Sequence, residues 1–169
     1  MSQSILVAGI GNIFLSDDAF GVEVANRYAE RALPEDVRVE DFGIRGVHLA
    51  YELLDGYKAL VLIDAVDLCD DPGTLAVMEP DPPAGGSYGG DGASPVMDAH
   101  SMSPDVVLGT LARLGGTVER IFVIGCQPAT LEEGIGLSPS VASSVDPAVE
   151  LCSQLVAEIL RPERKEARK

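Results

Sequence analysis

The chain has 169 residues, of which 46% are hydrophobic and 23% charged, and its formal net charge at pH 7 is −15. This length and composition are typical of one soluble globular domain with a core of its own. The acidity argues against nucleic acid or an anionic membrane as a partner, because both are bound through clustered Lys and Arg. It favours a metal ion or a basic protein segment, although acidity that only provides solubility is an equal alternative.

The sequence has neither a basic region followed by an apolar signal segment nor an apolar run long enough to span a bilayer. Its three cysteines, Cys69, Cys126 and Cys152, are widely spaced and form no CxxC pair. An odd number of scattered cysteines argues against a disulfide framework. We therefore expect a cytoplasmic, monomeric protein with one domain over residues 1–160 and a basic, frayed tail over residues 161–169.

The first predicted strand, residues 5–8, is a continuous apolar run typical of a strand buried on both faces. It leads into a glycine-rich turn, residues 9–21, which ends at a helix predicted over residues 19–33. Two adjacent acids, Asp17 and Asp18, lie just before this helix. One interpretation is that they cap the helix, because carboxylates are favourable at its N-terminus.

Two further predicted strands end in an acid. The alternating segment 37–41 is typical of a strand near the sheet edge and ends at Asp41, and the apolar segment 59–63 ends directly in Asp64. A short helix is predicted between them, over residues 47–54. Acids at strand ends are of interest because loops at the carboxyl ends of parallel strands open into a crevice.

The second half of the chain continues the alternation of strands and helices. We predict a strand antiparallel to its neighbours over residues 74–78, followed by a loop rich in Gly and Pro over residues 80–98. A helix capped by Ser103 is predicted over residues 103–114, and an apolar strand over residues 120–125. A glycine-rich loop, residues 134–139, then leads to a last helix over residues 145–160. This order predicts an α/β fold with a mostly parallel sheet and helices on both faces.

Asp18, Asp64 and His100 are expected to meet at one edge of this sheet. His100 comes shortly before the helix that follows the long loop, and helix N-termini point to the same edge as strand carboxyl ends. Two carboxylates and one imidazole suit a divalent transition metal with open positions. Each residue also has a simpler interpretation: Asp18 as a helix cap, Asp64 as an acceptor for loop amides, and His100 as a surface residue.

Other candidates are assigned structural roles. His48 lies inside a predicted helix, and Cys126 follows an apolar strand with no histidine adjacent in sequence, which favours a packed thiol. Gly9 and Gly11 suggest a dinucleotide loop, but its third glycine is replaced by Phe14. Three acids after the third strand look like solvated turn residues: Asp67, Asp70 and Asp71.

The chain resembles the hydrogenase maturation endopeptidases over nearly its whole length. The similar motifs, in order, are Gly9-Ile10-Gly11-Asn12-x-x-Leu15-x-Asp17-Asp18-x-x-Gly21, Asp41-x-Gly43-x-x-Gly46, Asp64-Ala65, His100, Gly125-x-Gln127-Pro128 and Gly136-Leu137-Ser138-Pro139. Ala19 and Ile44 depart from a glycine and a threonine common in that family.

The resemblance implies a three-layer α/β/α domain with a five-stranded mixed sheet. It also implies removal of a C-terminal extension from the precursor of a [NiFe]-hydrogenase large subunit after nickel insertion. Asp18, Asp64 and His100 are then the metal contacts, and Asp18, Asp64 and Asp41 the catalytic candidates. Nickel would be a transient cofactor, shared with the substrate's own nickel site.

Two alternatives remain at this point. One is a non-catalytic nickel-sensing chaperone of the same precursor, and the other is a metal-dependent hydrolase of small peptides.

Overall fold

A computed structural model describes residues 4–80 and 104–161 of the chain. The strands are β1 (Ile5–Ile10), β2 (Val37–Gly43), β3 (Ala59–Ala65), β4 (Leu75–Met78) and β5 (Arg120–Cys126). The helices are α1 (Phe20–Ala29), α2 (Gly46–Leu53), α3 (Pro104–Arg113), α4 (Pro139–Ala142) and α5 (Val145–Leu160). A 3-10 turn, Ser16–Ala19, precedes α1.

The five strands form one sheet in the order β2-β1-β3-β5-β4. The first four in this order run parallel, and β4 runs antiparallel to β5. The predicted five-stranded mixed sheet with one antiparallel strand is therefore confirmed. The prediction that the second strand lies near the sheet edge is confirmed as well, since β2 is the outermost strand of the sheet formed by the described residues.

Helices cover both faces of the sheet, so the fold has three layers. In β1 all six residues are buried, and alternate side chains enter opposite cores. Ile5 and Val7 join a core with α1 and α5, whereas Leu6 and Ala8 join a core with α2 and α3. Burial on both faces explains why this strand is a continuous apolar run.

The carboxyl ends of β2, β1, β3 and β5 share one edge of the sheet, because these strands are parallel. The loops that leave them are the β1 turn before α1, the link from β2 to α2, the segment after β3 and the loop 127–138 after β5. This edge carries the predicted site.

One helix prediction needs correction, and one helix was missed. The first helix begins at Phe20 and ends at Ala29, not at Leu33. Pro34 disfavours helical geometry at Leu33, and the chain must reverse before β2 begins at Val37. The short helix α4 was not predicted; Pro139 begins it, and proline is favourable at a first helical position.

Several predictions fall wholly or mostly outside the described residues. These are the loop 80–98 apart from its first residue, the cap Ser103, His100 and the tail beyond residue 161. The division into a domain and a tail stays a prediction. Among the helices described, none has both the length and the apolar composition needed to cross a membrane.

Candidate active site

The turn after β1 is formed by unusually close backbone contacts. A Cβ on Gly21 would lie 2.0 Å from the carbonyl oxygen of Ile63, and a Cβ on Gly11 would lie 1.9 Å from that of Asp18. Gly11 also has a φ of 144°, in the region that favours glycine. Only glycines allow the turn to fold back onto the end of β3, and this brings Asp18 to the sheet edge.

The Asp18 carboxylate lies inside this turn. The amide of Asn12 donates a hydrogen bond to Asp18 Oδ2 at 2.7 Å. Neither the 3-10 turn nor α1 has a side-chain cap, so the interpretation of Asp17 and Asp18 as helix caps is wrong. Burial raises the pKa of Asp18, and the Asn12 hydrogen bond lowers it by less.

Asp64 is the buried acid at the end of β3. Only 5% of its surface is exposed. Burial raises its pKa well above the ordinary value, and the negative charge of Asp18 raises it further. The backbone amide of Ala65 lowers the pKa, but by less than these two effects together. The structure thus brings Asp18 and Asp64 together, as predicted.

Asp17, the neighbour of Asp18, is fully buried and has a structural role. Its carboxylate accepts hydrogen bonds from the amides of Ala129, Thr130 and Ser138 at 2.8, 3.1 and 2.7 Å. The Ser138 hydroxyl donates a fourth at 2.8 Å. Burial alone would raise the pKa of Asp17, but these bonds together lower it. Asp17 therefore holds the β1 turn to the loop 127–138.

Asp41 lies at the end of the strand next to β1. Its Oδ1 accepts a hydrogen bond from the amide of Gly43 at 2.8 Å, and the carbonyl of Gly43 in turn accepts one from Gly11 at 2.9 Å. Asp41 thus shapes the loop beside the Asp18 turn. The third predicted metal contact, His100, lies outside the described residues.

Among residues 4–80 and 104–161, no three potential metal ligands converge. The chemistry of the two acids nevertheless suits a divalent cation. Asp18 and Asp64 are carboxylates whose mutual repulsion raises the pKa of Asp64, and a cation between them would relieve that repulsion. A raised pKa also suits a carboxyl to general acid or base catalysis, because its protonated form persists to higher pH and its ionised form is a stronger base than an ordinary carboxylate.

The remaining sequence candidates have structural positions. His48 is in α2, as predicted, and lines a shallow groove of about 380 Å³ with Phe42 and Arg45. Cys126 is buried, and burial raises the pKa of its thiol to about 11, which agrees with a packed, unreactive residue. The three acids expected in a turn are exposed: Asp67, Asp70 and Asp71.

Sequence reasoning missed the role of the loop after β5. The Ser138 contact with Asp17 joins residues 121 positions apart. A further contact joins the same segments, because Leu15 forms a parallel bridge with Gly134. The available signal was the glycine-rich segment ending in Ser138 and Pro139, which predicts a loop but not its partner.

Comparison with known proteins identifies the family. The family model of hydrogenase maturation proteases (HycI) matches residues 22–155, a range that includes Asp41 and Asp64 and begins just after the Asp18 turn. The hydrogenase expression/formation protein HupD of Rhodobacter capsulatus is 39% identical over 150 residues, 87% of this chain and 68% of the relative. The hydrogenase 2 maturation protease of Escherichia coli K12 is 29% identical, with 86% of each chain covered.

Solved structures agree. The hydrogenase maturating endopeptidase HybD from Escherichia coli superposes with a TM-score of 0.73 at 27% identity, covering 93% of this chain and 94% of that one. The hydrogenase 2 maturation peptidase from a Thaumarchaeota archaeon gives 0.70 at 26% identity, covering 91% and 98%. Sequence motifs, family match and fold all agree, so this chain belongs to the hydrogenase maturation protease family and is a peptidase.

Proposed function

We propose that this peptidase removes a C-terminal extension from the precursor of a [NiFe]-hydrogenase large subunit, after nickel has been inserted. The observation that carries the proposal is the pair of neighbouring carboxylates, Asp18 and Asp64, at the sheet edge of a protein in this family. The peptidase acts as a monomer in the cytoplasm; the three free cysteines agree with a reducing compartment.

In this proposal the nickel belongs to the substrate, and Asp18, Asp64 and His100 contact it only transiently. Carboxylate and imidazole donors are poorer competitors for nickel than sites rich in thiolate. The trio would therefore recognise a metal that the precursor already holds. Helix α3 begins at Pro104, four positions after His100, and leads towards β5, which supports an approach of His100 from the same sheet edge.

The acids would also serve the hydrolysis. Because its pKa is raised, the ionised Asp64 carboxylate is a stronger base than an ordinary one, which suits it to take a proton from water and then return that proton to the leaving amine. Asp18, whose carboxylate is held in place by the Asn12 amide, would serve as a contact to the substrate's nickel. Asp41, the third catalytic candidate, would assist hydrolysis indirectly, because its hydrogen bond with the Gly43 amide shapes the loop beside the Asp18 turn.

The test is cleavage of purified precursor, followed by mass spectrometry of the product. Wild type should truncate the nickel-loaded precursor and leave the nickel-free form intact. Asp18→Asn, Asp64→Asn and His100→Ala should each lower kcat at least ~100-fold: Asp64→Asn removes the general acid or base, and the other two variants each remove a proposed metal contact.

Asp67→Asn is the matched control, because Asp67 is an exposed acid three residues after Asp64 and should keep full activity. Equal cleavage of the nickel-free precursor would refute metal recognition. Full activity of the Asp64→Asn variant would remove that residue from the mechanism.

A further inference from the structure

Four large apolar side chains are exposed on the two loops that flank the candidate site. Ile13 and Phe14 lie on the β1 turn and are 47% and 61% exposed. Leu131 and Ile135 lie on the loop after β5 and are 49% and 84% exposed. Single exposed apolar residues are common, but several on neighbouring loops indicate an interaction site. We call these four residues the apolar platform.

The two loops that carry the platform are joined to each other. Ser16 and Gly134 donate amide hydrogen bonds to the carbonyls of Gly134 and Phe14, both at 2.9 Å. The Ser16 hydroxyl donates to the carbonyl of Glu132 at 2.7 Å. The Asp17 contacts fix the same pair of loops from inside. These hydrogen bonds fix the backbone of both loops, so the platform is pre-organised although its side chains are exposed.

We propose that the apolar platform docks the folded body of the precursor large subunit, at a surface that carries hollows beside basic residues. This inference rests on the proposed function and adds to it the surface by which the substrate is held. Phe14 and Ile135 are the most exposed of the four residues, and side chains exposed to this degree are buried best in preformed hollows, which a folded partner offers and an extended peptide does not.

The charge of the two loops indicates the rest of the partner surface. The loop after β5 carries Glu132 and Glu133, both exposed, and neither loop contains Lys or Arg. Basic groups next to the hollows would complement these carboxylates and steer association. The position fits as well, because Phe14 is four residues before Asp18 and a partner on the platform is held beside the proposed cutting site.

The experiment compares the variant Phe14→Ser/Ile135→Ser with wild type and with a control, Val77→Ser/Leu114→Ser. The control replaces two exposed apolar residues, 43% and 38% exposed, on β4 and after α3. The two double variants and wild type should have similar melting temperatures. The single variants Phe14→Ser and Ile135→Ser repeat the comparison with one substitution each. Binding of the nickel-loaded, full-length precursor is measured separately from its cleavage.

The platform variant should bind the precursor at least tenfold more weakly and raise KM by a similar factor, while kcat at saturation stays within twofold. The control should match wild type. Glu132→Gln/Glu133→Gln should weaken binding about threefold at low salt and lessen its dependence on salt. Unchanged binding by the platform variant overturns the proposal, and unchanged salt dependence of the glutamine variant overturns its basic component.

Mature large subunit, which lacks the extension, identifies the occupant. Wild type should bind it, and the platform variant should bind it at least tenfold more weakly. If wild type binds only the unprocessed form, the extension occupies the platform and the proposal is wrong. If wild type binds the precursor but does not cleave it, the proposed function alone is refuted. If wild type cleaves the precursor and the platform variant binds it as tightly as wild type does, the platform proposal alone is refuted. If wild type neither binds nor cleaves the precursor, both proposals are refuted.

Discussion

Asp17 and Asp18 are neighbours of the same residue type, yet their environments give them opposite properties. Asp17 has four hydrogen-bond donors around its carboxylate, and its pKa is lowered. Asp18 is partly buried and has one backbone donor, and its pKa is raised. A carboxylate rich in donors stays ionised and structural, whereas a desolvated one near another acid is suited to binding a cation or a proton.

This difference predicts that Asp17→Asn destabilises the fold. The amide would direct an NH₂ group at backbone donors and leave at least one of them buried and unpaired, at a cost of about 3 kcal/mol. Because the β1 turn would also loosen, kcat should fall together with stability. Urea unfolding and precursor cleavage measure the two effects.

Ser138→Ala is the control for this prediction. It removes only the hydroxyl donor and keeps the Ser138 amide in place, so the loss should be about 1 kcal/mol. Equal losses in the two variants would contradict the assigned role of Asp17.

Individual residues could be predicted from sequence where the strand pattern alone positions them. Asp64 follows the most apolar strand, and Asp18 follows the glycine turn, so topology brings both to one edge. The role of Asp17 could not be predicted, because its donors lie 112 to 121 positions away in a loop without periodicity. The apolar platform was missed for a similar reason: sequence gives hydrophobicity but not exposure.

At the level of elements, the fold depends on how closely α1 approaches the sheet. Gly21, at the second position of α1, packs its Cα against the carbonyls of Ile63 and Ile10, where a Cβ would lie at 2.0 and 2.4 Å. The obstructing atoms are backbone and cannot move aside. This contact lets the helix begin directly above the end of β3, next to Asp64.

We therefore expect Gly21→Ala to lower the free energy of unfolding by about 3 kcal/mol or more, because overpacking against rigid backbone displaces the helix. Cleavage activity should fall too, since the Asp18 turn moves with α1. Thermal and urea unfolding provide the measurement.

Gly56→Ala is the comparison variant. Gly56 has a φ of 94°, and no atom lies within 4 Å of the position that a Cβ would take, so only backbone strain of about 1 kcal/mol applies. A Gly21→Ala variant as stable as Gly56→Ala would show that α1 can shift freely.

The elements themselves were largely predictable, and the errors occur where tertiary contacts decide. Strand β4 was correctly predicted as antiparallel, because the segment before it is too short for a crossover. Helix α1 is shorter than its apolar pattern suggested: the 3-10 turn includes Ala19, its predicted first residue, and the helix ends at Ala29, where the chain reverses before Pro34 and β2.

At the scale of the whole molecule, buried thiol and phenol groups with raised pKa values make stability sensitive to alkaline pH, and among the described residues Cys126, Cys152 and Tyr57 have the largest of these shifts. Burial raises the pKa of Cys126 to about 11 and that of Cys152 to about 12, against 9.0 in the unfolded chain. Burial, with the hydrogen bond to Glu52, raises the pKa of Tyr57 from 10.0 to about 12. All three are neutral when protonated, so the folded state favours the protonated form.

Through these three groups, stability should fall as the pH rises from about 9 towards about 12, and they leave it unchanged at lower pH. In that window the unfolded chain releases protons that the native protein keeps, which shifts the equilibrium towards unfolding. Urea denaturation at each pH measures the slope. Cys152→Ala should reduce it, because one of these groups is removed; an unchanged slope would contradict the assignment.

The bonds between Asp17 and Ser138 have a further consequence, for the protein during its synthesis. The two residues are separated by 121 positions, so a ribosome has made most of the chain before they can meet. Until then the turn that carries Asp18 lacks the loop that holds it in place. A nascent or truncated chain should accordingly be unable to cut, and proteolytic activity should arise only once translation has passed the last strand.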